Sequence, residues 1–333
     1  MPQCQNLSRA RILLLAGGDS AEREISLSSG VAVGTALNAA GLTFEAIDPA
    51  LVDLTRFAWQ ADDIVFNALH GGGGENGDIQ TLLEAVGVPF TGSGSTVSQL
   101  AFSKSAAKVR FQQQGVPTAP FVLIHRSDSH ERLNQQAERI GYPLAVKPDQ
   151  QGSSLGVSIV HEPDELLEAA EECFRYGAFG LIEQAIPGTE WTLGVLDDDP
   201  LPLIKIGTEH TFFDFEAKYE DDATEYRLEF DEPPAIVNAI TRAGLDACRA
   251  LGTCGVARVD LRLDPGGNPF VLEVNTVPGF TDHSLVPKAA AHAGISFPEL
   301  CQRMLQSALD HAPAKSPAES TPLTPIWPTR QAG

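Results

Sequence analysis

The chain has 333 residues, 43% of them hydrophobic and 20% charged, an ordinary balance for a globular protein with a sizeable core and roughly two or three domains. With 44 acidic against 23 basic side chains the net charge is −21, which excludes the basic stripe needed to bind a nucleic-acid backbone; a nucleotide remains possible, because a few lysines or a helix N-terminus can hold its phosphates. Five scattered cysteines without a C-x-x-C spacing point to reduced thiols and a cytoplasmic location, and no apolar run is long enough for a signal or a membrane span.

In chain order, Ile12–Ala16 reads as a strand, Ser26–Asn38 as a helix, Thr43–Ile47 and Ile64–Ala68 as further strands, and Ile79–Ala85 as a helix. Gly-rich turns follow the first and third strands, as in a doubly wound parallel α/β unit whose ligands sit at that edge. This unit closes near Gly92-Ser-Gly94. A long helical pattern covers Thr96–Gln114, then come strand Pro120–His125 and helix Ser129–Ile140. Strand Leu144–Lys147, a loop, strand Leu155–Val160, helix Pro163–Tyr176 and strand Gly180–Gln184 complete an α+β layer. The remainder mixes strands 190–196, 202–207 and 256–274 with helices 235–251 and 297–310. From Pro313 onward, Pro, Ser, Thr and Ala without periodicity predict a disordered tail. The expected domains are therefore 1–94, 95–185 and 186–312, with 313–333 as the tail.

The stretch 257–287 carries the most chemistry. Two strands flank a Pro-Gly turn, with Ala257, Val259, Leu261 and Leu263 on one face and Arg258, Asp260 and Arg262 on the other. On the second strand Leu272 and Val274 share a face, and Glu273 and Asn275 the opposite one. A loop over 265–268 sets Asp260 across from Glu273 and Arg258 across from Asn275. Opposed carboxylates repel, so a cation is expected between them, and three oxygen ligands suit Mg²⁺ better than a softer metal.

Three Gly-rich loops add to this. In GGDSAEREIS (17–26), Asp19-x-x-Glu22 resembles a helix capping box, and Glu22 could alternatively reach over the sheet edge to an ammonium. KPDQQGSSLG (147–156) has the donors and the charge, in Lys147, of a flexible phosphate cover, although it is not a P-loop. His70, between an apolar strand and four glycines, is placed to face a ligand. Glu183 and Glu190, at strand ends, could bind the amino and hydroxyl groups of a nucleotide.

Taken together, these residues closely resemble the D-alanine–D-alanine ligases of the ATP-grasp superfamily. The matching segments are GGDSAEREISLSSG (17–30), ALHGGGGENG (68–77), FTGSG (90–94), KPDQQGSSLG (147–156), EAKY (216–219), ARVD (257–260) and LEVNTVPGFTDHSLVP (272–287). The resemblance implies a three-domain ATP-grasp architecture of mixed α/β and α+β class and a homodimer, while the charge and the lack of a long apolar run argue against a nucleic-acid or membrane partner. It also implies a reaction: ATP phosphorylates the carboxylate of one D-alanine, and the amine of a second attacks the acyl phosphate to give the dipeptide of peptidoglycan.

By the same resemblance, Lys104, Lys147 and Lys218 would contact ATP phosphates, with Glu183 and Glu190 on the adenine and ribose side. Asp260, Glu273 and Asn275 would hold two Mg²⁺ ions, or Mn²⁺ in their place. Arg258 and the Gly279 N–H would steady the oxyanion. Glu22 would take the first substrate's ammonium, with His70 near its carboxylate, and Ser284 and Leu285 would receive the second substrate's carboxylate. Ser153 and Tyr219 would link to Glu22 and close the site, with Tyr219 matching the dipeptide-forming group. Gln150-Gln151 replaces the family's usual Arg-Glu pair and Gln184 a frequent Lys, which removes charge near ATP. D-alanyl-D-lactate or D-alanyl-D-serine synthesis, and a nucleotide-binding regulator without turnover, are the competing readings.

Overall fold

A computed structural model describes residue 7 and residues 9–207, 225–281 and 284–312. Three sheets organise the described residues. The first is parallel, with β1 (Arg11–Leu15) between β2 (Phe44–Ile47) and β3 (Asp63–Asn67), and Phe90 adds an isolated parallel bridge to Val65. As a central parallel strand, β1 is apolar on both sides. Ile12 and Leu14 enter one core with α1 (Arg23–Ala39), whereas Leu13 and Leu15 enter a second with Leu83 of α3 (Asp78–Val86); the short α2 (Gly72–Glu75) precedes α3.

Two helices, α4 (Ser95–Phe102) and α5 (Lys104–Gln114), lead to the antiparallel central sheet. Its strands β4 (Phe121–His125), β5 (Leu144–Pro148), β6 (Ser158–Val160) and β7 (Phe179–Gln184) lie in the order β4-β7-β5-β6. Helices α6 (His130–Ile140) and α7 (Leu166–Phe174) cover one face through Leu133, Ala137, Leu166 and Ala170. The other face is turned towards the third sheet.

That sheet is also antiparallel. It comprises β8 (Thr189–Leu196), β9 (Asp199–Pro200), β10 (Ile204–Gly207), β11 (Glu225–Arg227), β12 (Val256–Leu263) and β13 (Pro269–Asn275), ordered β11-β10-β8-β12-β13 with β9 paired to β8. Helix α8 (Pro234–Leu251) packs beneath it through Ile240, Ala243 and Ala247. Helices α9 (Leu285–His292) and α10 (Phe297–Asp310) return to the first sheet, where Leu285, Val286, Leu300 and Met304 share a core with Ile12 and Phe66. One core thus joins the two ends of the described chain, and through Phe280 it fixes residues 276–281 against the first sheet.

Four sequence expectations are corrected. The helix over 96–114 is two helices, because Ser103 takes extended backbone and accepts from Ala106 N–H, so that it starts a new helix instead of continuing the old one. The strand over 155–160 begins only at Ser158, since Ser153, Ser154 and Gly156 have φ of 52°, 57° and 72°. Helix α9 was not anticipated within the 272–287 stretch; Ser284 precedes it and Pro287 sits in its first turn, where the missing N–H costs nothing. The capping box at Asp19 does not form. Glu22 itself occupies the N-cap of α1 without a side-chain cap bond.

The 256–275 hairpin contains a further correction. Asp260 does oppose Glu273 and Arg258 does oppose Asn275. The loop, however, starts at Asp264, whose N–H donates to Asn268 O, and a bulge at Leu272 restores the register. Leu272 therefore leaves the core face, which β13 fills with Val271 and Val274.

Candidate functional site

Two cavities meet at the β12–β13 hairpin. The larger, about 270 Å³, lies between the central and third sheets and is lined by Lys104, Lys147, Glu183, Glu190, Asp260 and Glu273, with Ala145, Ile159, Ile186 and Leu272 as apolar wall. The smaller, about 90 Å³, is lined by Glu22, His70, Ser153, Arg258, Asn275, Gly279, Ser284 and Leu285. Glu273 lines both. All fourteen described residues singled out from the sequence thus fall on one continuous site. Lys218 and Tyr219 lie outside the described residues.

The larger cavity is floored by a buried charge lattice. Glu183, on β7, is ion-paired through Oε1 to Lys147 on β5 and through Oε2 to Lys108 Nζ at 2.8 Å. Lys108 is fully buried, donates to Thr118 Oγ1 at 2.6 Å and stands over the Phe121 ring. Burial pushes its ammonium down to about 8, against the pull of Glu183. Burial would raise Glu183, but the two lysines outweigh it and hold the carboxyl below its usual range. Glu190 pairs with Arg262 at 3.0 Å, and Arg262 also donates to Ile186 O and Gly188 O, fixing the cavity's rim.

Lys104 stands at the start of α5, 3.0 Å from Glu273, and donates to Gln151 O at 2.8 Å. Burial opposes its charge, yet Glu273, Asp149 and Glu183 together hold its ammonium above the ordinary value. Asp149 sets its position: the carboxylate accepts from Ser103 Oγ and from Ser105 N–H at the first turn of α5. On the hairpin, Asp260 accepts from Thr192 Oγ1 at 2.7 Å and is forked by Arg258 at 2.9–3.3 Å. The cationic partners expected from opposed carboxylates are thus partly built in, as Lys104 for Glu273 and Arg258 for Asp260.

The metal expectation fits the donor set. Asp260, Glu273 and Asn275 offer only hard oxygen ligands, on one hairpin face and in the register that brings the two carboxylates opposite each other.

The smaller cavity is assembled from loops of all three sheets and from the β12–β13 strands, which carry Arg258, Glu273 and Asn275. Ser153 Oγ–H donates to Glu22 Oε1, tying the 149–157 loop to the start of α1. A Cβ on Gly71 would lie 2.4 Å from Glu22 Oε2 and one on Gly152 3.2 Å from it, so the carboxylate is packed between two glycines. His70 is buried, with Nε2 2.8 Å from Ser29 Oγ and Nδ1 3.6 Å from Glu75. Opposite them, Ser284 Oγ accepts from Thr281 N–H at 2.9 Å, and a Cβ on Gly279 would collide with it at 2.7 Å.

Sequence reading missed Lys108, Asp149 and Thr192, and placed Arg262 on the hairpin's polar face without giving it a role. Lys104-x-x-x-Lys108 carries the helical spacing that would have placed both lysines on one face of α5. Thr192 is Asp260's cross-strand partner, a pairing no local pattern reveals.

The comparisons agree with this geometry. A family model described as D-ala D-ala ligase C-terminus matches residues 111–306, and one described as D-ala D-ala ligase N-terminus matches residues 55–93. The D-alanine–D-alanine ligase of Stutzerimonas stutzeri is 44% identical over 300 residues, covering 90% of this chain and 95% of that one. The one from Nitrosomonas europaea is 42% identical over 301 residues, covering 90% and 98%. Among solved structures, the D-alanine–D-alanine ligase of Bacillus anthracis complexed with ATP superposes with a TM-score of 0.79 at 30% identity, over 90% of this chain and 98% of that one. The VanG D-Ala:D-Ser ligase of Enterococcus faecalis gives 0.79 at 26% identity, over 90% and 99%.

The three sheets with their shared cleft define an ATP-grasp protein. Within that class the chain belongs to the D-alanine–D-alanine ligase family.

Proposed function

We propose that this chain is a D-alanine–D-alanine ligase, joining two D-alanines at the expense of ATP for peptidoglycan synthesis through a D-alanyl phosphate. The observation that carries the reading is the meeting of the two cavities at Glu273, beside Asp260 and Asn275. A nucleotide in the larger cavity directs its terminal phosphate at a small zwitterion in the smaller one. Membership of the family supports the reaction.

Lys104 and Lys147 are placed to bind phosphate oxygens, with Lys218 proposed alongside them, while Glu183 and Glu190 define the adenine and ribose side. Asp260, Glu273 and Asn275 would hold two Mg²⁺, or Mn²⁺, ions. Such ions, when bound, offset the charge on the transferring phosphoryl group. Glu22 receives the first substrate's ammonium, and His70 orients its carboxylate towards the nucleotide. Arg258 and the Gly279 N–H donate to the oxygen that gains charge when the second amine attacks. Ser284 and Leu285 hold the second carboxylate. Ser153, together with Tyr219, closes the 149–157 loop over the site and excludes water that would hydrolyse the acyl phosphate.

The domains are proposed as 1–94, 95–185 and 186–312, the enzyme as a homodimer and its location as cytoplasmic. No helix among the described residues is long and apolar enough to cross a membrane.

The test is ADP release from Mg·ATP with D-alanine alone and with D-alanine plus D-lactate or D-serine, with products identified by mass. Di-D-alanine as the main product near neutral pH is expected. A depsipeptide or D-alanyl-D-serine would overturn the second-substrate assignment, and nucleotide binding without ADP release from any pair would overturn catalysis.

A further inference from the structure

Away from both cavities, three metal-ligating side chains of different kinds converge. Asp197 lies in the turn between β8 and β9, Cys254 in the loop between α8 and β12, and His311 just after α10. A carboxylate oxygen, the thiol sulfur and an imidazole nitrogen of these residues all lie within 4.8 Å of one another. We propose that Asp197, Cys254 and His311 form a zinc site that fastens the end of α10 to the third sheet.

The spacing suits one ion. His311 Nδ1 stands 3.9 Å from Asp197 Oδ1. Two ligand atoms on one tetrahedral zinc, with bonds of about 2.0–2.3 Å, are separated by about 3.3–3.8 Å, so only a small movement closes the site. One sulfur, one nitrogen and one oxygen donor form a mixed set that favours zinc over Mg²⁺, which takes oxygen ligands. A zinc ion here would take the sulfur as thiolate and release the thiol proton to solvent.

Supporting bonds hold the ligands in place. Asp197 Oδ1 accepts from Ser307 Oγ at 2.6 Å and from Gly255 N–H at 3.1 Å, while Asp197 N–H donates to Gly255 O at 2.7 Å. His311 Nδ1 also lies 2.9 Å from the Ser307 carbonyl, a bond the imidazole gives up when that nitrogen takes the ion, so Ser307 supports the carboxylate alone. A hydrogen-bonded carboxylate of this kind is usual around a protein metal site. The Cys254 backbone is held in turn by Ser93, whose Oγ accepts from Cys254 N–H at 3.1 Å and donates to Cys254 O at 3.2 Å. The ion would thus join α10, the β8–β9 turn and, through Ser93, the loop that closes the first sheet.

None of the three residues belongs to the proposed catalytic machinery, so the site can be tested separately from turnover. The probe is Co²⁺ titrated into metal-free full-length protein with excess Mg²⁺ present to occupy the oxygen-ligand site. Wild type should take up one equivalent with a thiolate-to-cobalt charge-transfer band, and Zn²⁺ should displace it. Cys254→Ser should lose the band, and Asp197→Asn and His311→Ala should each weaken binding at least about tenfold. Zn²⁺ should raise the thermal midpoint of wild type but not of Cys254→Ser, and D-alanine-dependent ADP release should be unchanged in that variant. Absence of the band in wild type, its persistence in Cys254→Ser, or equal stabilisation of both proteins by Zn²⁺ would overturn the site.

Discussion

The two halves of the active cleft are built on different principles. On the nucleotide side, the charged groups stand on strands and a helix and neutralise each other in a buried lattice: Glu183 between Lys108 and Lys147, Glu273 against Lys104, Glu190 against Arg262. On the substrate side Glu22, His70, Ser153 and Ser284 sit on loops from three sheets beside the β12–β13 hairpin, and a hydrogen bond from Ser153 to Glu22 ties the 149–157 loop to the first sheet. A lattice of this kind is organised before any ligand arrives. A loop-built cavity exists only while the loops are together. The first half should therefore govern affinity for ATP, and the second the fate of the acyl phosphate.

The most drastic way to break the comparison is Glu273→Gln, because that carboxylate belongs to both halves. We expect kcat to fall by roughly 10³-fold or more, as for loss of several kcal/mol of transition-state stabilisation. The thermal midpoint should stay close to wild type. Near-normal ADP release in this variant would remove the metal assignment.

Next in size is Lys108→Met, which leaves Glu183 buried with one cation. Breaking such a pair costs about 3–5 kcal/mol of stability, measurable by chemical denaturation, and should also raise the KM for ATP. Lys108 gives the wild type a pH signature as well. Its charge is lost as pH rises through about 8, so kcat/KM for ATP should fall above that value, and this limb should be missing in Lys108→Met. The stability linkage runs the other way. The folded value lies below the ordinary 10.5, so the unfolded chain binds more protons between the two, and this group's contribution to stability increases as pH rises from about 8 towards 10.5.

Ser153→Ala should have a smaller and more selective effect. ATP affinity should be nearly unchanged, while the ratio of ADP to dipeptide rises above one as water reaches the acyl phosphate. A ratio that stays at one would show that the Ser153–Glu22 tie is not what excludes water.

The smallest expected effect concerns the support of Glu22's loop. Arg23 first, then the Gly18 and Ala50 N–H groups, hold Asp48 down at about 2, below the ordinary 3.8. Its stabilising contribution is complete above about pH 4 and is lost as pH falls towards 2. Asp48→Asn should flatten the acid limb of a thermal-midpoint profile by a few degrees and leave kinetics at neutral pH almost untouched.

The same contrast explains what could be read from the chain. Strand alternation and the Asp260–Glu273 opposition were legible because they depend on local period and on a short hairpin, and Gly-rich turns marked the ligand edge of the first sheet. The loop-length error at Asp264 was cancelled by the bulge at Leu272, so the correct pairing came from two compensating departures. Lys108 was not legible, because whether a helix lysine is solvated or buried depends on what packs over it, here Glu183 from a strand 75 positions away. Thr192 escaped for the same reason. The break at Ser103 is likewise tertiary in part, since Asp149 binds both Ser103 and Ser105 from another segment.

The most direct test of the contrast is binding of a non-hydrolysable ATP analogue with Mg²⁺ in the absence of D-alanine, measured calorimetrically for wild type, Ser153→Ala and Lys108→Met. A preformed nucleotide half predicts equal affinity for wild type and Ser153→Ala and clearly weaker binding by Lys108→Met. Weaker binding by Ser153→Ala with Lys108→Met unaffected would show that loop closure, and not the buried lattice, organises the nucleotide side.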